Sequence, residues 1–168
     1  MVIRSVDGIA PSVHETAYVD EDAVVIGDVE IGPEASIWPN TTIRGDRGKI
    51  TIKEGTNIQD NSVMHEGGEI GPYASVGHCG IVHAATVKER ALVAMNAVVL
   101  DDCVVGEEAI VAAGSIVTEG TEVPPRTMVA GTPATPVKEL EDSPWTATAD
   151  HYTELATLYA ETSERVDR

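Results

Sequence analysis

Phenylalanine is absent, and aromatic residues make up only 4% of the chain. So few rings do not fit a thick layered core; they suit a narrow interior filled by Val, Ile and Ala. Cysteine is almost as scarce. Cys79 and Cys103 are too few for a disulfide framework, so Cys103 reads as packing. Cys79, beside a histidine, reads as a core or surface thiol, with metal ligation the alternative. Positive charge is scarce too. Eleven basic residues, of which Lys49, Lys53, Lys88 and Lys138 are the lysines, face 28 acidic ones, for a formal net charge of −17. That balance argues against nucleic acid and against an anionic membrane, both of which demand a positive surface. Such a carboxylate surplus self-repels unless screened, which favours a salt-rich, halophilic setting. No apolar run is long enough to span a membrane and no charged-then-apolar leader opens the chain, so the expected location is cytoplasmic.

What the chain does have is a beat of six. An aliphatic residue recurs at Val13, Val19, Val25, Ile31, Ile37 and Ile43, then from Ile52 through Ile58, Met64, Ile70 and Val76 to Val82. From Val87 the beat runs unbroken to Val129. A three-residue insertion follows Ile43 and a one-residue deletion follows Val82. Four positions after each aliphatic residue the chain is usually small, as at Ala23, Ala35, Thr41, Ser62, Ala97 and Cys103. A period of six is neither helical nor simply alternating. It fits a hexapeptide β-helix, in which three short strands make one triangular coil and coils stack as parallel sheets. At roughly 4.8 Å per coil, about six and a half coils would stand about 30 Å tall.

The expected organisation is a strand-like lead-in and turn over 1–12, the β-helix over 13–130, a connector over 131–142, and a C-terminal helix and tail over 143–168. The insertion Arg44-Gly45-Asp46-Arg47-Gly48 reads as a loop bulging outward. Ser143 caps and Pro144 opens the helix. Its stripe Trp145, Ala149, Tyr152, Ala156, Tyr159 is expected to lie along the prism wall, and the end from Glu161 to fray.

In a solenoid, sequence spacing converts to position, because residues in one slot of successive coils stack. The slot after Val25, Ile43, Met64 and Val82 holds Ile26, Arg44, His65 and His83, so His65 and His83 are one strand spacing apart. On the preceding face the same count puts His78 above Asp60. Two imidazoles at that separation can share one metal ion, whereas His78 would struggle to reach it from its own face. A three-fold axis resolves this, bringing His78 of one copy to His65 and His83 of the next. Three imidazoles with an open fourth position make a catalytic rather than a structural zinc site.

Ser36-Ile37-Trp38, Ile43-Arg44-Gly45-Asp46, Gly55-Thr56-Asn57-Ile58-Gln59-Asp60-Asn61-Ser62, the histidines within Val76 to His83, and Gly131-Thr132-Pro133-Ala134 resemble the gamma-class carbonic anhydrases. The resemblance covers nearly the whole chain and is most specific over 36–84. It implies a left-handed β-helix homotrimer with a metal (zinc, or iron(II) or cobalt on the same ligands) held by His65 and His83 of one subunit and His78 of the next. The implied reaction is reversible hydration of carbon dioxide to bicarbonate by hydroxide formed on that metal. It implies that Gln59 positions water or substrate, that Asp46 and Asn57 line or support the site, and that Arg44 and Asp60 pair across subunits. The sequence departs from the family at the proton exit: Arg47 stands where a glutamate follows Arg-Gly-Asp, and the acidic loop is cut to Glu66-Gly67-Gly68-Glu69. Glu66 or Glu69 is the substitute shuttle, and slow or buffer-dependent hydration is the expectation. The competing readings are an acyltransferase or thioesterase acting on coenzyme A thioesters, and a non-catalytic metal-binding trimer.

Overall fold

A computed structural model describes residues 1–142 and 147–166. The chain winds as a left-handed parallel β-helix of hexapeptide repeats, with one C-terminal helix, Ala147–Thr162. The aliphatic beat is its interior. From Val25 to Val129 these residues are buried, most of them completely. Burying a Val or Ile side chain is worth about 1.5–3 kcal/mol, so the column is the main source of stability.

Most repeats turn their corner in the same way. The third residue after the inward aliphatic adopts positive φ, as at Asn40, Asn61, Cys79, Asn96 and Gly114. Several of these residues donate their backbone N–H to the coil below, as Asn61 does to Pro39 and Asn96 to His78. The small residue one position later sits under the next coil. There the hydroxyls of Thr41, Thr56 and Ser62 donate to the carbonyls of Gln59, Gly71 and Gly77, so these buried hydroxyls are paired. Cys103 occupies the same kind of corner and is buried, as its position suggested.

Register pairs Val25 with Ile43, Ile43 with Met64, Met64 with Val82 and Val82 with Val99, so these residues share one face. A second face carries Ile31, Ile52, Ile70, Val87 and Val105, and a third carries Val19, Ile37, Ile58, Val76, Val93 and Val111. In the lower coils the first corner is not a turn at all. Strands Val24–Ile31, Thr42–Ile52, Val63–Ile70 and Ile81–Val87 run continuously from the first face onto the second.

Several expectations change. Arg44 to Gly48 does not leave the sheet as a loop: it lies within strand Thr42–Ile52, and the surplus is absorbed as a register shift between Arg44 and Ile50. The lead-in is strand-like as expected, with Val2–Arg4 paired in parallel with Val24 to Ile26. The connector includes strand Ala134–Glu139, which folds back antiparallel on Thr127–Gly131 and covers the last edge of the third face. The expected cap Ser143, Pro144 and the stripe residue Trp145 lie outside the described residues. Within the helix, Ala149 and Ala156 are buried and Tyr152 half-buried, whereas Tyr159 is partly exposed. The helix stops at Thr162, and Ser163 to Val166 have no regular structure.

An aromatic seam docks the helix. Trp38, buried on the third face with its indole N–H donated to Ser36 Oγ, meets Tyr152 and Tyr159 edge-on at ring distances of 5.3 and 5.2 Å, and Tyr18 at 5.3 Å. Of the chain's two Trp and four Tyr, these four stand at one place.

Candidate metal centre

The rounded corner of the lower coils is where the first two histidines emerge. His65 pairs in register with both Arg44 below and His83 above. Immediately after each histidine the backbone adopts positive φ, at Glu66 (59°) and at Ala84 (44°), and a bulge follows between His83 and Ala85. Such bulges re-aim side chains. Below them, Gly45 is obligatory: a Cβ there would stand 2.3 Å from the Asp28 carbonyl oxygen.

His65 Nδ1 and His83 Nε2 face each other at 3.2 Å. The other nitrogen of each ring is taken. His65 Nε2 lies 3.1 Å from Asp46 Oδ1, and His83 Nδ1 is hydrogen-bonded to Asp101 Oδ1. A carboxylate only accepts, so each neutral ring carries its proton on the aspartate side. With both rings neutral in that tautomer, two lone pairs would be turned on each other at 3.2 Å. Arg44 Nη2, 3.4 Å from the same His65 Nδ1, is long for a hydrogen bond and does not relieve them. A cation between the rings would. Nitrogens each about 2.0–2.1 Å from one tetrahedral zinc ion lie about 3.3 Å apart, so the donor set fits. Glu66 completes the group: His65, Glu66 and His83 offer ligand atoms within 4.8 Å of one another, which no other group of three such side chains does among the described residues.

His78 is not part of that group. It stands on the turn after the third face, above Asp60, whose Oδ2 is 2.9 Å from its Nδ1. Its Nε2 faces the Tyr152 hydroxyl of the helix, 3.5 Å away. All three imidazoles are thus held on one nitrogen by an aspartate. Within one chain Arg44 bonds Asp46, at 2.9 Å, and Asp60 bonds His78. Desolvation pushes the Asp46 carboxyl upward, but its backbone hydrogen bond, Arg44 and His65 outweigh it and hold it below the ordinary carboxylate value.

Asn57 and Gln59, which precede the three histidines in sequence, are buried. Ser75 Oγ accepts from Asn57 Nδ2 at 2.7 Å, and Asn57 Oδ1 accepts from Gln59 Nε2 at 2.9 Å, which leaves Gln59 Oε1 as an acceptor. Of the two candidate shuttles, Glu66 lies 3.5 Å from Arg47 and Glu69 3.5 Å from Lys53. Cys79 is exposed and joins no potential ligand group.

Two site residues escape the slot count. Asp101 escapes because the count from Val99 points to Leu100, whereas the bulge after His83 turns that ring toward the next residue along. The eighteen-residue interval from His83 to Asp101, the same as from Asp60 to His78, was the available signal. Tyr152 belongs to the expected stripe, but where the stripe docks is not written in its spacing. Burial, and then the Asp60 charge, raise its phenol pKa, so it remains a protonated donor at neutral pH.

A family model described as the GMPPB C-terminal domain matches residues 47–149, and one described as bacterial transferase hexapeptide (six repeats) matches residues 10–45. A probable carbonic anhydrase of Methanocaldococcus jannaschii is 51% identical over 128 residues, covering 74% of this chain and 80% of that protein. The carnitine operon protein CaiE of a Proteus species is 39% identical over 146 residues, covering 84% and 74%. The crystal structure of a hexapeptide transferase family protein from Anaplasma phagocytophilum superposes with a TM-score of 0.92 at 40% identity, covering 94% of this chain and 98% of the other. With its repeat, its coil and these relatives in agreement, the chain belongs to the hexapeptide-repeat transferase family.

Proposed function

We propose that this chain hydrates carbon dioxide reversibly to bicarbonate at a metal centre shared between copies of a homotrimer. His65 and His83 of one copy and His78 of its neighbour would hold the ion, zinc by preference, with iron(II) or cobalt accepted by the same nitrogens. The observation that carries the reading is the pair of bare imidazole nitrogens 3.2 Å apart, each ring fixed from behind by an aspartate. The ion when bound would supply Lewis acidity, lowering the pKa of water and polarising oxygen. Neutral imidazoles favour this because they leave the cation's charge uncompensated.

The protein's own part is orientation. Gln59, pinned through Asn57 to Ser75, keeps its Oε1 available as an acceptor that can hold a water by its proton. The Tyr152 phenol offers a donor next to His78. Glu66, at the rim beside His65 and 3.5 Å from Arg47, is the carboxylate placed to take a proton outward. The 51% identity to a probable carbonic anhydrase supports the same chemistry.

Acyl transfer is the second reading, favoured by the close likeness to a hexapeptide transferase family protein. Elemental analysis with stopped-flow hydration on the wild type and His83→Ala separates them. The proposal expects about one ion per chain, measurable hydration, and loss of both in the variant. A metal-free protein that consumes an acyl-coenzyme A would sink it in favour of transfer.

A further inference from the structure

On the outer side of the third face, one column of register partners reads Ser36, Asn57, Ser75 and then Leu92, Ile110, Met128. It changes from polar to apolar between Ser75 and Leu92. Leu140 packs on Leu92 and Ile110 and stiffens the apolar half. The helix supplies Thr148 and Tyr152 as the opposite wall, and between them lies a cavity of about 350 Å³. Gln59, His78 and Tyr152 line its polar end, and Leu92, Ile110 and Met128 its apolar end. An apolar pocket with a few convergent polar groups is how proteins bind small organic ligands.

One polar atom in this lining is unspent. Gln59 is only 4% exposed and gives its Nε2 to Asn57 Oδ1, yet no group among the described residues donates to its Oε1. A buried acceptor without a donor is costly, so such atoms are normally satisfied by water or by a ligand. The Tyr152 hydroxyl, 3.5 Å from His78 Nε2, is too far for a good hydrogen bond there and is free to donate elsewhere. The polar end is thus complementary to a head group that donates to Gln59 and accepts from Tyr152.

Charge and size narrow the class further. No Lys, Arg, Asp or Glu is among the described residues that line the cavity. Asp60, 2.9 Å behind His78, offsets any positive charge which that ring takes up. An ionised head group would therefore be buried without a counter-charge, which is expensive. The volume equals roughly a dozen waters at about 30 Å³ each, enough for a small head and a short chain.

We infer that this cavity binds a small uncharged aliphatic molecule whose head both donates and accepts a hydrogen bond, as a primary carboxamide or an alcohol does. The head lies between Gln59 and Tyr152, and the chain runs along Leu92, Ile110 and Met128. All of these groups belong to one copy of the chain. The inference goes beyond the metal-centre reading and does not depend on it.

Calorimetric titration of the intact chain with butanamide, hexanamide, hexanoate and hexylammonium, before and after treatment with a chelator, tests the inference. Hexanamide should bind about 10- to 15-fold more tightly than butanamide, because each buried methylene is worth about fourfold. Hexanoate and hexylammonium should bind about tenfold more weakly than hexanamide, or not at all. Chelation should change none of these affinities. Tyr152→Phe keeps the ring against Trp38 and removes only the hydroxyl, so hexanamide should weaken about three- to tenfold while the melting temperature holds. Ala112 also lines the cavity, and Ala112→Leu should erase the advantage of hexanamide over butanamide by filling the space. Hexanoate bound as tightly as hexanamide, affinities that ignore chain length, or no binding of any probe overturns the inference. Binding that disappears with the chelator would place the head group on an ion, and sinks this inference while the proposed function stands. A protein that holds no metal yet binds the probes in the expected order sinks the proposed function alone.

Discussion

Asp101 shows what one carboxylate does for a ring it never competes with. By accepting from His83 Nδ1 it fixes the tautomer and aims Nε2 at His65. Asp101→Asn can still hydrogen-bond the ring but can also donate to Nδ1, which would move the proton to the nitrogen that must stay bare. Metal affinity measured against a competing chelator should fall about 10- to 100-fold, the usual effect of losing such a partner. An unchanged affinity would mean that His83 is oriented by the bulge alone. Gly45 makes a steric prediction. A methyl group there would stand 2.3 Å from Asp28 O, so Gly45→Ala must shift the strand that carries Arg44 and Asp46. Weaker metal retention together with a lower melting temperature is expected, and melting with and without chelator separates the two contributions. Much of this scale was legible beforehand. Vertical neighbours such as His65 with His83 and Asp60 with His78 follow from counting coils. Asp101 was less legible, because the register of Val82 with Val99 points to Leu100 in the slot above His83, and only the eighteen-residue interval pointed to Asp101.

The elements divide into those the repeat dictates and those it does not. The prism, its corners and its three faces are all consequences of a six-residue period, and the register confirms the faces column by column. Where the count slips, the sequence reads less well. The insertion after Ile43 was expected to bulge outward as a loop, yet it stays within strand Thr42–Ile52, because the ladder resumes at Ile50 on both sides and the surplus is confined to a bulge between. The strand Ala134–Glu139 escaped notice because an antiparallel return lies outside the parallel repeat. The helix was legible as a stripe, but its seat depends on Trp38, a residue more than a hundred positions away. Trp38→Ala removes the ring that Tyr18, Tyr152 and Tyr159 all touch, and a loss of about 3–5 kcal/mol is expected on chemical denaturation. Proteolysis should then cut the chain ahead of the helix first. A variant as stable and as protease-resistant as the wild type would show that the seam does not hold the helix.

At the scale of the whole molecule, the same scarcity of positive charge that argues against nucleic acid becomes a statement about stability. Among the described residues, Arg44 pairs with Asp46, Arg47 with Glu66, Lys49 with Glu30 and Lys53 with Glu69, all on the lower coils around the histidine corner. With 28 acidic residues and only 11 basic ones, most carboxylates can find no such partner. They stand on a narrow prism, where coils are about 4.8 Å apart and like charges in one column are close neighbours. At 0.1 M salt the screening length is about 10 Å, so a carboxylate feels the charges of its own coil and of the coils next to it; at 1 M it falls to about 3 Å and that repulsion is largely removed. Unfolding separates the charges, so repulsion lowers the stability of the folded chain more than that of the unfolded one. The melting temperature should therefore rise by several degrees between dilute buffer and molar potassium chloride. Chloride is preferred to sulfate for the comparison because sulfate strengthens apolar burial in any protein and would mimic the effect. Equal melting temperatures in the two solutions would mean that the carboxylates are far enough apart to ignore one another, and would remove the reason to read the acidic surface as an adaptation to salt.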